Sequence, residues 1–171
     1  MRRTLAILLV AFACKPAAPP DNTAEARAAI DAANASWSRL SAAGHSDSLA
    51  EFYHPQAVVM PPNMATMRGA TAIRTFFTSM NVMSSPPPVL SIRSDSVWSA
   101  GSWAVEQGRW SFKFPAGAKL PQGAFPEDSG KYMARWVQDN GKWLIMENIW
   151  NSDEVYMPVP PMAPEAPPKH K

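Results

Sequence analysis

The sequence predicts an α+β domain in which a curved antiparallel sheet wraps around a long N-terminal helix and forms a cone. The predicted elements run in the order helix, short helix, strand, helix and then four strands, which is an α+β order. The last two strands flank Asn140-Gly141, a dipeptide that accepts the positive φ angles of a type I′ turn and so predicts a tight hairpin. That hairpin, residues 130–151, has four aromatic side chains, which two strands alone cannot bury. The rest of the chain must therefore supply further strands and covering helices.

Composition fits one domain of ordinary size and excludes several classes of function. The chain has 171 residues, and removing Arg2 and Arg3 leaves equal numbers of basic and acidic groups. Without a basic stripe, nucleic-acid binding has no support. A single Cys excludes an intrachain disulfide and a Cys-rich metal site, and the three His residues are scattered without acids at ligand spacing. No Gly-rich loop opens a helix after a strand, so nucleotide binding has no support, and we predict no cofactor.

The first residues resemble a bacterial lipoprotein signal. A basic start is followed by an apolar run, residues 5–13, that is too short to span a bilayer and ends at Cys14, the only Cys. We therefore predict a signal peptide with lipobox at 1–14, lipidation at Cys14 and a tether at 15–21. These features predict a cell-envelope protein held to the membrane by its lipid anchor. The alternative is an ordinary secretory signal, which would leave the protein periplasmic.

The predicted domain covers residues 22–155 and begins with two helices. Asn22 with Glu25 is typical of a capping box, and Ala-rich helical spacing continues to about residue 43, before Gly44. A second, short helix is predicted at 47–53, ending before Pro55.

The remaining elements alternate with Pro-rich breaks. We predict a strand at 57–60, a helix at 70–80, strands at 89–99 and 103–114, a loop at 115–129 and the hairpin. Residues 156–171 are rich in Pro and are predicted to be disordered.

Several motifs spread over the chain carry a family resemblance. They are Gly44-His45-Ser46-Asp47-Ser48-Leu49, Ala57-Val58-Val59-Met60-Pro61-Pro62-Asn63, Arg68-Gly69-Ala70-Thr71-Ala72-Ile73, Gly130-Lys131-Tyr132, Gly141-Lys142-Trp143 and Ile149-Trp150-Asn151-Ser152-Asp153. Together they resemble SnoaL-like domains and, more narrowly, a subfamily of unknown function that is similar to ketosteroid isomerases. The resemblance implies the cone-shaped fold of nuclear transport factor 2 from about residue 22 to 153. That fold hosts isomerases, cyclases, dehydratases, binders and association modules, so it implies no single reaction.

The resemblance also implies where catalytic groups of a ketosteroid isomerase would lie. The general base falls at Met60 or Pro61, the oxyanion-hole Tyr at Trp37 and the second acid near Met133. Neither Met nor Pro accepts a proton, so we predict no catalytic residue at these positions and no ketosteroid isomerase activity.

Charged side chains elsewhere have two interpretations. Glu106 and Arg109 on one strand, with Lys131, Arg135 and Glu147 on its neighbours, are interpreted as cross-strand ion pairs on the solvent face. The alternative is an acid/base set in which Glu147 is the best single acid.

His54 likewise has two interpretations. It is predicted to contact the last carbonyls of the second helix, with a base at the pocket mouth as the alternative.

The predicted ligand pocket combines apolar side chains with a few amides. Its residues are Trp37, Tyr53, Met60, Asn63, Met133, Asn148 and Trp150, although core packing explains the apolar members equally well. We predict a tethered domain that binds a small, largely apolar ligand. The alternatives are an acid–base isomerase, dehydratase or cyclase, and a module that forms a homodimer through the outer face of the sheet.

Overall fold

The computed structural model describes residues 21–82, 85–120 and 124–154. The predicted signal peptide with Cys14, the tether as far as residue 20 and the Pro-rich tail lie outside the described residues. No helix in the described ranges is long and apolar enough to cross a membrane.

The predicted fold class is confirmed: helices cover one face of a curved six-stranded sheet. In chain order the elements are α1 (Thr23–Ala42), α2 (Ser46–Leu49), a 3-10 turn (Ala50–Phe52), β1 (Tyr53–Met60), β2 (Met67–Arg68), α3 (Gly69–Val82), β3 (Val89–Ala100), β4 (Trp103–Lys113), β5 (Glu127–Asp139) and β6 (Lys142–Trp150). The strand order across the sheet is β2-β1-β6-β5-β4-β3. Neighbouring strands are antiparallel except β1 and β6, which run parallel.

The predicted hairpin is confirmed. Asp139 pairs with Lys142, and the two residues between them have φ angles of 49° at Asn140 and 77° at Gly141. These positive angles are the ones that a type I′ turn requires.

The predicted capping box is wrong, although α1 begins where expected. Asn22 is the N-cap residue, but its side chain makes no capping hydrogen bond. Its Nδ2 donates to the carbonyl of Gly101 at 2.9 Å, and its Oδ1 accepts from the Ser99 hydroxyl at 2.8 Å. Asp21 instead accepts the backbone N–H of Thr23 at 3.1 Å. The Asn22 side chain thus ties the start of α1 to the far end of the sheet.

The second helix is shorter than predicted, and the strand after it is longer. α2 ends at Leu49, and β1 begins at Tyr53 rather than Ala57. His54 is therefore a strand residue, whose Nδ1 accepts the backbone N–H of Gln56 at 3.1 Å, and its predicted place at a helix end is wrong. Pro55 is accommodated at a register shift between Tyr53 and Val58, where no ladder hydrogen bond is needed from it.

The core lies between the helices and the inner face of the sheet. Ile30 of α1, Ile73 of α3 and Val59 of β1 are fully buried there. On β5, the buried inner positions Tyr132, Ala134 and Trp136 follow the period of two that a strand imposes. The cone is therefore closed by helices on one side and lined by alternate sheet residues on the other.

The outer face of the sheet carries several ion pairs. Arg135 pairs with Glu147, with Nη2 to Oε1 at 2.7 Å, which confirms the cross-strand pairing predicted for these two. Both side chains are more than a third exposed, and such pairs contribute little to stability.

Candidate functional site

An apolar cavity of about 180 Å³ lies inside the cone. Aromatic rings make up much of its wall: Trp37 meets Phe77 edge to face with centroids 5.4 Å apart, and Phe76 lies 6.4 Å from Trp150. Met80 also lines the cavity and is half exposed, so it lies at the rim. The remaining lining residues are Leu90, Ile92, Trp110, Phe112, Ala134 and Ile145, together with the polar groups described below.

One end of the cavity is polar because it contains the carboxylate of Glu106, a side chain with no exposed surface. Its Oε1 accepts from Asn34 Nδ2 at 2.6 Å, from the Tyr132 hydroxyl at 2.5 Å and from the Ser94 hydroxyl. Its Oε2 accepts from Trp136 Nε1 at 2.9 Å. We call Glu106 and these four donors the Glu106 cluster.

Three neighbouring strands and α1 bring the Glu106 cluster together. Glu106 lies in the middle of β4, with Ser94 on β3 and Tyr132 and Trp136 on β5. Ser94 lies at a register shift that separates it from Ser96 in the pairing of β3 with β4. Asn34 reaches the carboxylate from α1, so the helix and the sheet share one polar contact inside an apolar core.

Gly108 makes room for the Tyr132 phenol. The two residues are cross-strand partners, and the Tyr132 hydroxyl lies over β4 towards Glu106. A Cβ at position 108 would lie 2.6 Å from Tyr132 Oη and 2.3 Å from the carbonyl oxygen of Arg93. Glycine inside a strand often marks such a close approach.

Glu106 is stabilised by neutral donors. None of the ion pairs within the described residues includes it. Burying a charge is costly unless hydrogen bonds compensate for the lost water, and the four donors supply that compensation. Burial raises the pKa of Tyr132, and the charge of Glu106 and the hydrogen bond to it raise that pKa further. The phenol therefore keeps its proton and remains a donor to the carboxylate.

A second polar point lies elsewhere on the cavity wall. The Tyr53 hydroxyl donates to Asn148 Oδ1 at 3.3 Å, and Asn148 Nδ2 donates to the carbonyl of Met133 at 3.3 Å. Burial raises the pKa of Tyr53, which keeps this phenol protonated as well.

The structure brings together part of the predicted pocket. Trp37, Tyr53, Asn148 and Trp150 line the cavity. Whether they bind a ligand stays a prediction.

Three residues do not line the cavity, and their predicted placement is corrected. Met60 pairs with Ile149 and Ile149 with Met133, on the outer face of the sheet, where Met133 is 49% exposed. Met60 and Met133 each lie one residue from an inner position of their strand. Because strand side chains alternate between the two faces, a shift of one residue moves a side chain to the other face. Asn63 lies in the loop after β1 with a positive φ of 56° and is exposed.

Glu106 is the important residue that the sequence prediction misplaced. It was assigned to the solvent face with Arg109, whereas it is fully buried and Arg109 pairs with Asp95 at 2.9 Å. The alternation along β4 contained the correct signal, because Glu106 shares its parity with Gly108 and Trp110, which lie on the inner side. The charge of Glu106 favoured the solvent face, but the alternation of the strand places this side chain on the inner face.

Within the described ranges, no group of three or more His, Cys, Asp or Glu side chains is placed to hold a metal ion.

The fold is the cone seen in solved structures described as nuclear transport factor 2-like. The chain belongs to the SnoaL-like domain family, whose sequence profile matches residues 22–145. None of the curated proteins matches the chain.

Solved structures with low sequence identity share the fold. A Xanthomonas campestris protein named for the calcium/calmodulin dependent protein kinase II association domain is 22% identical, with a TM-score of 0.60, covering 88% of this chain and 99% of its own. A ketosteroid isomerase-like protein from Erwinia carotovora atroseptica is 12% identical, with a TM-score of 0.61 and coverage of 75% and 96%. A Mycobacterium tuberculosis protein of unknown function is 16% identical, with a TM-score of 0.63 and coverage of 77% and 73%.

Proposed function

We propose that this protein binds a small, largely apolar molecule inside the cone. The observation that carries the proposal is the aromatic-lined cavity of about 180 Å³ that reaches the Glu106 cluster. Ligand sites in proteins are concave and mostly apolar, with a few placed polar groups that orient the ligand. A purely structural core would pack side chains to high density and leave voids no larger than a water molecule.

Fluorescence titration of the full chain with 2-phenylethanol, a small neutral probe, tests this proposal. We expect saturable quenching or a shift of Trp emission, because Trp37 and Trp150 line the cavity. Trp150→Ala should weaken binding by about 1–3 kcal/mol through loss of aromatic contact. Trp98→Ala is the matched control, since Trp98 is 52% exposed and does not line the cavity. If neither 2-phenylethanol nor its methyl and ammonium analogues bind the wild type, and Trp150→Ala lowers stability by about 3–5 kcal/mol, the cone is a packed core and the proposal fails.

Acid–base catalysis is the second candidate, and the buried carboxylate of Glu106 in a ligand-sized cavity is the observation that favours it. An isomerase, dehydratase or cyclase needs a carboxylate within hydrogen-bond reach of the proton that moves. Glu106 has no exposed surface and is surrounded by four donors, so a substrate would have to displace one of these side chains to reach it. Simple binding needs no such rearrangement and therefore ranks first.

The absence of ketosteroid isomerase activity stays a prediction, and it can be tested directly. Met60 lies on the outer face, and neither it nor Pro61 lines the cavity, so no base is available where that relation implies one. We expect no turnover of a 3-oxo-Δ5 steroid above the rate of a Glu106→Gln control. Turnover well above that control would overturn the prediction and favour the enzyme.

We further propose export and tethering through lipid on Cys14, supported by the basic start and the apolar run before the only Cys. Metabolic labelling with a fatty acid should mark the wild type but not Cys14→Ala. Equal labelling of the two, or cytosolic wild-type protein, would contradict this proposal.

Finally, we propose that the outer face of the sheet pairs two copies of the chain. Met60, Ile149 and Met133 form a continuous apolar row there, and Trp103 is a further exposed apolar side chain on the same face. Exposed apolar patches of this kind are typical of association surfaces.

A further inference from the structure

The polar end of the cavity can accept hydrogen bonds from a ligand, but the donors of its hydroxyl and amide groups already make hydrogen bonds within the protein. The Tyr132 hydroxyl donates to Glu106, and the amide group of Asn34 donates to Glu106 Oε1 at 2.6 Å and to the Ser94 hydroxyl at 3.5 Å. Tyr132 keeps a lone pair on its phenol oxygen and Asn34 keeps its amide oxygen, and both of these groups are acceptors. Tyr53 repeats the arrangement, because its hydroxyl donates to Asn148. A ligand that meets these groups forms hydrogen bonds only by donating them.

The same end of the cavity carries a negative charge without a basic partner. The carboxylate of Glu106 accepts four hydrogen bonds from neutral groups, and no ion pair within the described residues includes it. The basic group nearest to the cluster by its contacts is Arg27, whose Nη2 donates to the carbonyl of Ser94 at 3.0 Å while its Nε pairs with Asp31 at 2.7 Å. Arg27 is held by these oxygens and interacts with the charge of Glu106 only through space, so no ion pair among the described residues neutralises the carboxylate.

The wall beside this charge suits a cation bonded to an apolar body. Trp37 and Trp150 line the cavity, each beside a Phe ring, and a cation near the face of such rings gains further attraction. The indole N–H of Trp110 has no hydrogen-bond partner in the described part of the chain and so makes no hydrogen bond with the Glu106 cluster; it lies beside Gly130, where an added Cβ would be 2.8 Å from it.

We propose that the ligand of this cavity is a small apolar amine, with its ammonium group at Tyr132 and Asn34 and its hydrocarbon body among the aromatic rings. This inference rests on the proposed binding function. It excludes carboxylic acids of the same size at this position, since a second carboxylate beside Glu106 would be repelled by its charge.

A ligand series with one body and four head groups tests the inference. The full chain is titrated by calorimetry at neutral pH with 2-phenylethylamine, 2-phenylethanol, propylbenzene and 3-phenylpropionate. We expect the ammonium compound to bind about tenfold or more tightly than propylbenzene, the alcohol to lie between them and the carboxylate to bind weakest. Equal or tighter binding of propylbenzene or 3-phenylpropionate overturns the amine proposal while leaving the binding function intact. Absence of binding by all four overturns the binding function itself.

Matched variants locate the selectivity. Glu106→Gln removes the charge at the polar end, so the advantage of the amine over propylbenzene should fall to about threefold or less. Glu147→Gln is the control, because Glu147 is on the outer face with Arg135, and it should keep the wild-type ratio. Tyr132→Phe supplies a second test if Glu106→Gln does not fold, and it should reduce the same ratio. An unchanged ratio in a folded Glu106→Gln or Tyr132→Phe protein overturns the proposed position of the ammonium group.

Discussion

Two buried tyrosines provide a controlled test of the Glu106 cluster, because the same substitution removes two different hydrogen bonds. Tyr132→Phe removes a 2.5 Å bond to a carboxylate, and Tyr53→Phe removes a 3.3 Å bond to an amide. Hydrogen bonds to charged groups contribute about 1.5–3 kcal/mol and neutral ones about 0.5–1.5 kcal/mol. Both residues are buried and line the cavity, so the change in apolar packing is matched. We therefore expect Tyr132→Phe to lower the free energy of unfolding by about 1 kcal/mol more than Tyr53→Phe.

Urea denaturation followed by Trp fluorescence measures this difference. The slope with urea concentration must be the same for the three proteins, so that the midpoints report stability alone. An equal loss for both variants, or a larger loss for Tyr53→Phe, would show that the hydroxyl of Tyr132 does not stabilise a buried carboxylate.

Three further predictions concern the backbone, the outer face and acid stability. Gly108→Ala should destabilise the protein by about 2 kcal/mol or more, since the added Cβ meets backbone and the Tyr132 hydroxyl; a change within about 0.5 kcal/mol would contradict the close approach. Met133→Glu should shift a dimer towards monomer in light scattering while leaving the circular dichroism spectrum unchanged, and an unchanged mass for a dimeric wild type would reject the outer-face interface. The hydrogen bond from Arg109 lowers the pKa of Asp95 below its ordinary value of 3.8, so the stability from this pair is present above that pH and is lost as the pH falls through the lowered value. Asp95→Asn should therefore reduce the acid-induced loss of stability slightly, and a larger loss in the variant at low pH would contradict the sign.

Local sequence signals predicted the elements well where turn chemistry and periodicity agreed. Asn140-Gly141 marked the hairpin turn, and the break at Ala100-Gly101-Ser102 separated the two long strands. The two-residue strand β2 was missed, because Met67 and Arg68 carry no periodicity of their own and gain their pairing only from β1. The parallel pairing of β1 with β6 was not predicted either, since partners so distant along the chain leave no local pattern.

The candidate site was harder to predict than the fold. Trp37, Tyr53, Asn148 and Trp150 line the cavity as predicted, although Tyr53 does so from the start of β1 rather than from the predicted second helix. Glu106 was not, because a charged residue on a strand is more often exposed, and its burial depends on donors from α1, β3 and β5 that no local window contains. The parity shared with Gly108 was the usable signal, and it would also have explained the glycine.

The proposed binding site inside the cone is tested most directly by the indole N–H signals of the seven Trp residues in a proton–nitrogen correlation spectrum. Signals are assigned with single Trp→Phe variants, and the wild-type protein is titrated with 2-phenylethanol. Four Trp residues, Trp37, Trp110, Trp136 and Trp150, line the cavity, whereas Trp98 and Trp103 are 52% and 44% exposed and do not. We expect the signals of the four cavity residues to shift along one saturable curve while those of the two exposed residues stay in place. Shifts confined to Trp98 and Trp103, or no saturable shift of any signal, would contradict a ligand site inside the cone.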